Sequence, residues 1–421
     1  MKTLINYFKA SFKNPLLMGS FVMVVGTNLY STGQFLYHSI ALRVLGEAYY
    51  GDLAAIISLL GIVGIFQLAF NLTIVKFVAG HNRKEELQNF SSWINWWSIL
   101  IGLGMGLVLL SMSPLLAAFL KLHQPSSIYL LPVIVVLGTV LSANRSILQG
   151  LLRFNQLVAS LMSEMLLKIM LTIVLVWLSY AIFGAMVALL VGVLVSYGIT
   201  RVFLKDVIVR KRGERPSIAP LIMFSLPVFI QGAALTSMYS ADILLVKHFF
   251  SAYESGVYAS VAALGRIAFF VSTPISAVMF PMISRRHAES QPYKDILLLS
   301  ILGTFILAAA TVLAFRFSPQ IFLALFSGHV LKESVGLLWW FSAFAGFLSV
   351  ASLLVQFYLS VGKVKMTWFF AIAALGQAIA IWFIHPDLLR VIQISLVVTA
   401  LLAFSLSLYL LYHQRWLYHK R

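Results

Sequence analysis

The sequence predicts an all-α polytopic membrane protein of about twelve transmembrane helices. Of its 421 residues, 61% are hydrophobic and only 10% are charged, whereas soluble domains are about half apolar and about a quarter charged. Apolar runs of about 20 residues, each long enough to cross a bilayer core, recur along the whole chain. Because no long polar segment separates them, we expect a single membrane domain without a soluble appendage.

The chain contains no cysteine, which excludes disulfides, thiolate chemistry and Cys-ligated metals. Its nine histidines are scattered through loops, helix ends and tails, so they predict no metal site. No HExxH, Walker A or GxSxG motif occurs. We therefore expect neither an enzyme nor a bound cofactor. The energy for any transport would come from an ion gradient, from a substrate gradient or from a partner.

Twelve spans are predicted, and most of the loops that join them are short. Spans 1 to 6 cover residues 16–42, 50–78, 91–119, 127–150, 157–179 and 182–204. Spans 7 to 12 cover residues 219–248, 256–282, 295–316, 331–360, 365–384 and 389–413.

The basic residues predict the orientation. A net charge of +17 would suggest nucleic-acid binding in a soluble protein. Here most Lys and Arg lie in both tails and in the loops on the same side of the membrane. Cytoplasmic loops carry such an excess, so we expect both termini in the cytoplasm, contact with membrane lipids and no nucleic-acid partner.

The longest inner loop predicts the domain organisation. The basic stretch 205–220 separates six spans in residues 1–204 from six in residues 221–421. Six is an even number, so both halves would enter the membrane from the same side. We expect two six-helix lobes related by a pseudo-two-fold axis along the membrane normal, as in several transporter classes.

Two local matches support a duplication. Residues 45–59 (LGEAYYGDLAAIISL) and 250–264 (FSAYESGVYASVAAL) occupy the same place in the two halves, with Gly51 aligned to Gly256 at an offset of 205. A second match, beginning at Gln149 and at Gln356, has an offset of 207. Two matches at nearly one offset favour an internal repeat.

Span 5 carries two charged residues, Glu164 and Lys168. Their i,i+4 spacing places them on one helix face, where they can pair. A charge near mid-membrane costs about 2.5–3.5 kcal/mol on insertion scales. Two readings stay open: a self-neutralising pair that fixes span 5 to a neighbour, or a cation that lines a hydrated cavity with Glu164 tuning it.

Arg266 lies inside span 8 and has no acid three or four residues away in its own helix. It therefore needs a partner from another helix, water or a ligand anion. Asp242 in span 7 is the other deep acid and is a candidate partner. A direct pair would be structural or would act as a gate; otherwise each residue would face a cavity.

The remaining polar residues are ambiguous. Arg145, near the inner end of span 4, is either a helix-end charge or part of a cavity. Arg43 and Lys247 lie at outer span ends, where snorkelling to the interface is expected. Asn28 and Asn71 either hydrogen-bond between helices or face a cavity.

Small and helix-breaking residues predict packing and bends. Gly19, Gly26 and Gly33 are seven residues apart and share one face of span 1, which favours close helix packing. Pro227 in span 7 and Pro274 in span 8 each lack a backbone N–H, so both should bend their helices.

The stretch from span 7 to span 8 resembles a known family signature. Asp242, then Gly256-Val-Tyr258-Ala-Ser-Val-Ala262 and Phe280-Pro-Met-Ile-Ser284 follow its pattern, and Leu45-Gly46-Glu-Ala-Tyr-Tyr50-Gly51 resembles the matching segment of the first half. The family is that of the polysaccharide biosynthesis transporters. These are the Wzx-type lipid-linked oligosaccharide flippases of the multidrug/oligosaccharidyl-lipid/polysaccharide (MOP) superfamily. The resemblance covers essentially the whole chain.

This resemblance implies two lobes that form a V around a central cavity, which opens alternately to each side of a bacterial inner membrane. The implied substrate is an undecaprenyl-diphosphate-linked oligosaccharide of the O-antigen or exopolysaccharide type, with a glycan polymerase and chain-length proteins as candidate partners. Lys168 and Arg266 would hold the anionic diphosphate, since Lys and Arg both suit phosphate oxygens. Coupling to H⁺ or Na⁺ is expected.

Three alternatives remain at this stage. A MATE-type antiporter for drugs or metabolites would share the fold and use Asp242 and Glu164 as cation or proton sites. A membrane enzyme such as a glycan polymerase or ligase would need a long outer loop with catalytic residues, and the outer loops here are short. A non-transporting scaffold of a glycan assembly complex is disfavoured by the buried charges.

Overall fold

The computed structural model describes residues 15–80, 83–209 and 219–412, and in these residues the protein consists of α-helices joined by short connections, without a β-strand. The helices are α1 (Pro15–Gly80), α2 (Lys84–Phe119), α3 (Leu130–Gly150), α4 (Phe154–Trp177), α5 (Ala181–Phe203), α6 (Ala219–Phe249), α7 (Ala252–Gly265), α8 (Ile267–Ala288), α9 (Lys294–Phe317), α10 (Pro319–Ser327), α11 (Lys332–Ser360), α12 (Thr367–Phe383) and α13 (Leu388–Tyr412). Short 3-10 turns, Pro125–Tyr129 and Val364–Met366, precede α3 and α12.

Eleven stretches of the described residues are long and apolar enough to cross a membrane. The first, Val25–Gln67, holds parts of predicted spans 1 and 2, which meet at Gly46, where the backbone leaves the helical region (φ 73°, ψ 170°). Another, Ala252–Ala288, joins α7 and α8 and contains span 8. The twelve predicted spans therefore appear in order, and the all-α polytopic fold class is confirmed.

One short helix lies outside the predicted spans. Helix α10 has only nine residues, begins with Pro319 in its first turn and ends at Gly328, whose φ of 83° is left-handed. Proline at a helix start and glycine just after its end are the usual boundaries. A length-based search for spans misses such an element because it is too short to cross the bilayer.

The described chain divides into two compact units. Unit 1 contains the chain up to Leu45 and Val63–Leu226, whereas unit 2 contains Gly46–Ile62 and the chain from Pro227 onward. The segment 46–62 thus packs within unit 2, although the sequence places it in the first six spans. Of the predicted basic loop 205–220, residues 210–218 lie outside the described residues, as do both tails. The arrangement of two lobes stays a prediction.

Unit 1 is built around α3, which packs against α2, α4 and α5. Small residues allow α1 to approach α4: a Cβ on Gly26 would lie 2.4 Å from a Val158 methyl group, and a Cβ on Gly33 would meet the Met165 sulfur. The predicted packing role of these two glycines is confirmed. One buried cluster of unit 1 consists of Ile74, Val78, Phe90, Ile94, Ala143, Ile147, Leu148, Leu157, Leu204 and Val207.

Unit 2 is built around α11, which contacts α7, α8, α9 and α13. Its apolar stretch is the most buried of the eleven, at 72%. Gly265 permits this packing, because a Cβ there would lie 2.6 Å from the Phe341 ring. The Tyr258 and Phe341 rings meet edge to face with centroids 5.7 Å apart. Pro274 and Pro281 both lie inside α8, while the helix break falls earlier, at Arg266.

An ion pair outside the spans gives a first prediction. Arg153 donates two hydrogen bonds to the Asp206 carboxylate, at 3.1 and 2.6 Å, and holds the pKa of Asp206 below its ordinary value of 3.8. The native state therefore gains stability from this pair above pH 3.8 and loses it as the pH falls through the lowered pKa. Since both side chains are partly exposed, we expect Asp206→Asn to lower stability by less than about 1 kcal/mol.

The measurement is the thermal unfolding midpoint of purified protein in detergent, for wild type and Asp206→Asn. The difference between them should stay constant from pH 7 to pH 5 and vanish in more acidic buffer. A difference that grows toward acid pH would contradict the assignment of the pair.

Candidate functional site: buried charges in each unit

Unit 1 holds a network of charged and hydroxyl side chains centred on Arg145 of α3. Its guanidinium contacts the Glu164 carboxylate at 2.7 Å. It also donates to the Ser160 hydroxyl, the Ser160 carbonyl and the Ser196 hydroxyl, each at 2.9 Å. Glu164 and Ser160 belong to α4 and Ser196 to α5, so one arginine ties three helices together.

Close packing of α4 and α5 makes this network compact. A Cβ on Gly192 of α5 would lie 3.0 Å from the Glu164 carbonyl oxygen. The Ser160 and Ser196 hydroxyls are 2.7 Å apart. Arg145 is therefore part of a buried site and not a helix-end charge, which resolves the ambiguity of the sequence.

The predicted pair of Glu164 and Lys168 is not the ion pair that forms. Lys168 instead donates to the side-chain oxygen of Gln34 and lies 4.1 Å from the centre of the Tyr37 ring. The i,i+4 spacing does put both residues on one face of α4, but Glu164 pairs with Arg145 of α3. Gln34 and Tyr37, three residues apart on α1, were not among the predicted residues.

Lys168 is thus a buried cation whose direct contacts, Gln34 and Tyr37, are neutral. Its exposed fraction is 4%, and among the described residues no carboxylate lies within ion-pair distance of its amino group. A buried ammonium group needs hydrogen bonds or an opposite charge to offset lost hydration. The amide of Gln34 and the face of the Tyr37 ring offset part of the lost hydration of Lys168. The negative charge of Glu164 is already paired with Arg145.

Unit 2 holds a second charged cluster. Asp242 of α6 is completely buried and accepts hydrogen bonds from the Tyr258 hydroxyl and from the backbone N–H of Ile243, both at 2.8 Å. The Arg266 guanidinium lies 3.6 Å from the same carboxylate. The predicted pairing of Arg266 with Asp242 is therefore found in the structure.

Arg266 occupies the break between α7 and α8. It donates to the Tyr239 carbonyl and lies within 6 Å of the Tyr239 and Phe341 ring centres, at 5.6 and 5.9 Å. Its Nε is buried and has no hydrogen-bond partner among the described residues. With 17% of the side chain exposed and the Nε–H uncommitted in the described part of the chain, this guanidinium retains capacity for an acceptor.

The two predicted asparagines differ. Asn71 donates to the Ser142 hydroxyl of α3 at 2.5 Å, and Gln67, one turn earlier, donates to Thr139 at 3.0 Å. Both therefore hydrogen-bond between helices of unit 1. Asn28 lies on an exposed part of α1, and its assignment to a cavity stays a prediction.

The interpretation of Lys247 as an interfacial anchor is wrong. Lys247 is 2% exposed and forms an ion pair with Asp52, whose side chain is completely buried. Position at a span end suggested access to water, but the segment 46–62 covers the end of α6. Asp52, which directly follows the repeat glycine Gly51, was not among the predicted site residues.

Among the described residues, no group of three or more His, Asp or Glu side chains is placed to hold a metal ion. The side chains described here can form hydrogen bonds, pair charges and transfer protons. Each unit presents cations close to carboxylates inside apolar helices. This arrangement suits recognition of an anion or the exchange of a proton or cation.

Comparison with known proteins identifies the family. Residues 16–287 match the family described as "Polysaccharide biosynthesis protein". The chain belongs to this family. The resemblance at the sequence level predicts this membership, and eleven stretches of the described residues are long and apolar enough to cross a membrane.

Other proteins resemble the chain along most of its length. The chain is 22% identical over 409 residues to an uncharacterized membrane protein of Methanocaldococcus jannaschii, an alignment that covers 93% of this chain and 95% of the relative. It is similar in fold to an inward-facing MATE family multidrug resistance transporter of the MOP superfamily, with a TM-score of 0.76, 14% identity and coverage of 92% and 95%. It is also similar to the lipid II flippase MurJ in an inward closed conformation, with a TM-score of 0.72, 16% identity and coverage of 94% and 87%.

Proposed function

We propose that the transporter flips undecaprenyl-diphosphate-linked oligosaccharide units from the cytoplasmic to the outer leaflet of a bacterial inner membrane by alternating access. Membership of the polysaccharide biosynthesis family supports a glycan-linked substrate. The similarity in fold to MurJ, which is described as a lipid II flippase, is compatible with a lipid-linked one. The sugars of the repeat unit are left open by this proposal.

Arg266 carries the proposal. An undecaprenyl-linked glycan presents a diphosphate at the junction of lipid and sugar, and Arg binds phosphate oxygens with two parallel N–H groups. The Arg266 guanidinium is partly exposed, lies at a helix break and has an N–H without a partner in the described part of the chain. Binding a diphosphate would complete its hydrogen bonds.

Lys168 and Arg145 have different parts in the proposal. Arg145 is committed to Glu164 and to two serines, so we assign it to holding unit 1 together. Lys168 is nearly sealed from solvent but lacks a carboxylate of its own. We assign it a supporting role, in which its positive charge favours an anion in unit 1.

The two buried carboxylates are the candidates for ion coupling. Asp242 contacts Arg266, so it can take a proton or a cation when Arg266 turns to the substrate anion. Glu164, whose partner Arg145 stays in place, is the second candidate. We propose coupling to H⁺ or Na⁺ at these residues and no bound cofactor. Membrane lipids, a glycan polymerase and chain-length proteins are the proposed partners, and both termini would lie in the cytoplasm.

The test uses proteoliposomes that contain the purified transporter and a fluorescent undecaprenyl-diphosphate oligosaccharide. A membrane-impermeant quencher reports how much of this lipid has reached the outer leaflet. We expect wild type to equilibrate the lipid between leaflets, and both Arg266→Gln and Lys168→Gln to do so more slowly. Arg285→Gln is the matched control, since Arg285 forms an exposed ion pair with Glu289 in the same unit as Arg266.

A wild-type protein that leaves the lipid in its original leaflet would contradict the proposal. Normal flipping by both glutamine variants would leave the function intact and overturn the assignment of the two cations. The same vesicles test the MATE-type alternative, favoured by the similarity to a MATE transporter: uptake of a cationic dye driven by an imposed H⁺ or Na⁺ gradient, without lipid flipping, would establish it instead.

A further inference from the structure

The segment 46–62 has an unusual place in the fold. It belongs to the first half of the sequence, yet it packs within unit 2. A helix break at Gly46, with φ 73°, marks its beginning. Near its other end lie Gly61 and Gly64. Among the described residues, a Cβ on Gly61 would meet only atoms at 3.8 Å or beyond, and a Cβ on Gly64 would have no neighbour within 4 Å. Glycine-rich, loosely packed ends suit a segment that moves.

In contrast, the contact between this segment and α7 is very tight. A Cβ on Gly51 would lie 2.6 Å from the Ser255 hydroxyl and 2.8 Å from the backbone nitrogen of Gly256. A Cβ on Gly256 would lie 1.9 Å from the Glu47 carbonyl oxygen. Backbone therefore touches backbone here, and any larger residue at either glycine would force the two elements apart.

Gly51 and Gly256 are the two residues that the internal repeat aligns at an offset of 205. The equivalent glycines of the two halves thus pack directly on one another. A point where equivalent positions of a duplicated sequence meet lies on or near the local pseudo-symmetry axis of the two segments. This explains why both copies need glycine, since each faces the backbone of the other.

A buried ion pair lies immediately beside this contact. Asp52, the residue after Gly51, pairs with Lys247 of α6, and the two side chains are 0% and 2% exposed. A buried ion pair contributes little to a permanent contact, because apolar residues of the same size often stabilise a fold more. It suits a contact that forms and breaks reversibly, because both charges regain water when the surfaces separate.

At its first residues the segment makes one further polar contact with unit 2. Glu47 lies 2.9 Å from the His329 ring nitrogen in the turn after α10. This contact is more exposed than the Asp52–Lys247 pair, at 58% for His329. The polar contacts with α6 and with this turn flank the glycine contact, so separation must break them together.

From these observations we infer that segment 46–62 is a detachable latch of unit 2, locked by the Asp52–Lys247 ion pair and by the glycine contact, and that the transport cycle requires it to undock. The latch docks in the state seen here and releases in the alternate one. The movement of segment 46–62 does not depend on which molecule is carried. A result against the proposed substrate therefore leaves this inference intact, and the reverse also holds.

The absence of cysteine from the sequence makes accessibility measurements direct. Ser255→Cys places a thiol at a site that is 3% exposed and covered by Gly51, so its reaction with a small maleimide reports undocking. The transporter is embedded in lipid nanodiscs, where the reagent reaches both faces. Tyr253→Cys, at a position that is 44% exposed, serves as the reporter that should react rapidly in every variant.

We expect slow labelling of Ser255→Cys in the wild-type background. Asp52→Asn and Lys247→Met should each raise the rate by about tenfold or more, because removing one partner leaves a buried charge unpaired and favours the undocked state. The exchanged pair, Asp52→Lys with Lys247→Asp, should restore slow labelling. Arg285→Gln, which breaks an exposed pair elsewhere in unit 2, should leave the rate unchanged.

Fast labelling in the wild-type background would overturn the inference, because the segment would then not be docked. Equal, slow labelling of wild type and both single variants would show that the Asp52–Lys247 pair does not hold the segment docked. The same conclusion would follow if the exchanged pair were labelled as fast as the single variants. If a single variant does not yield a monodisperse protein, Gly256→Ala tests the glycine contact, because the added Cβ would collide with the Glu47 carbonyl oxygen. Labelling of Ser255→Cys at the wild-type rate in that background contradicts the proposed lock.

Discussion

Replacing Arg145 by glutamine should destabilise unit 1 more than any other neutral substitution of a charged residue in that unit. The change leaves the Glu164 carboxylate, 11% exposed, without its ion-pair partner and removes the hydrogen bonds from Arg145 to Ser160 and Ser196. Breaking a buried pair from one side costs about 3–5 kcal/mol. Thermal unfolding in detergent, followed by size-exclusion chromatography after heating, measures the loss.

A second substitution, Glu164→Gln, shows whether loss of the ion pair causes the lower stability of Arg145→Gln. Arg145→Gln combined with Glu164→Gln leaves two neutral amides that can bond to each other and to the serines, so most of the lost stability should return. The exposed pair supplies the control: Arg285→Gln should change stability by less than about 1 kcal/mol. An Arg145→Gln protein as stable as wild type would show that the network contributes little.

Arg145 also illustrates what the sequence leaves undecided. The spacing of Glu164 and Lys168 correctly places them on one face of α4, and proximity along a helix makes them the obvious pair. The actual partner of Glu164 comes from α3, nineteen residues earlier in the sequence. A helix periodicity predicts which residues share a face, but not which neighbouring helix lies against that face.

The pair of Arg266 and Asp242 was predicted for the opposite reason. Arg266 has no acid nearby in its own helix, so its partner had to come from elsewhere, and Asp242 was the remaining deep acid. Elimination works in a membrane span because charged residues there are few. The break in the helix at Arg266, between α7 and α8, gave no signal in the sequence, since the nearest proline is Pro274.

Lys247 and Asp52 show a limit of a different kind. Helix ends are normally exposed to water, which is why a terminal lysine in an apolar span suggests snorkelling. Exposure of a helix end depends on what covers it, and segment 46–62 covers the end of α6 that carries Lys247. The duplication offset did identify Gly51 and Gly256 as equivalent positions. That the two glycines touch, and that an ion pair lies beside them, follows only from the three-dimensional packing.

Arg266→Gln combined with Asp242→Asn should remain defective in lipid flipping, although the charges of the pair are balanced again. If Arg266 binds the diphosphate, the single change Arg266→Gln lowers flipping by about tenfold or more, because one charge-assisted hydrogen bond contributes about 1.5–3 kcal/mol. Removing Asp242 as well does not replace the lost donor. The proteoliposome assay with the fluorescent lipid measures both variants beside wild type.

The variant Asp242→Asn distinguishes two roles of Arg266, binding of the headgroup and neutralisation of Asp242. The two roles predict opposite patterns of lipid flipping in the single and double variants. A headgroup-binding Arg266, freed from Asp242, should still bind the diphosphate, so lipid flipping under equilibrating conditions persists while its dependence on an H⁺ or Na⁺ gradient is lost. If Arg266 only neutralises Asp242, both single variants fail and the double variant recovers. Tyr258→Phe removes one hydrogen bond to Asp242 without altering charge, and separates loss of charge from loss of packing. Recovery of flipping in the double variant would assign the pair to structure and move the headgroup site away from Arg266.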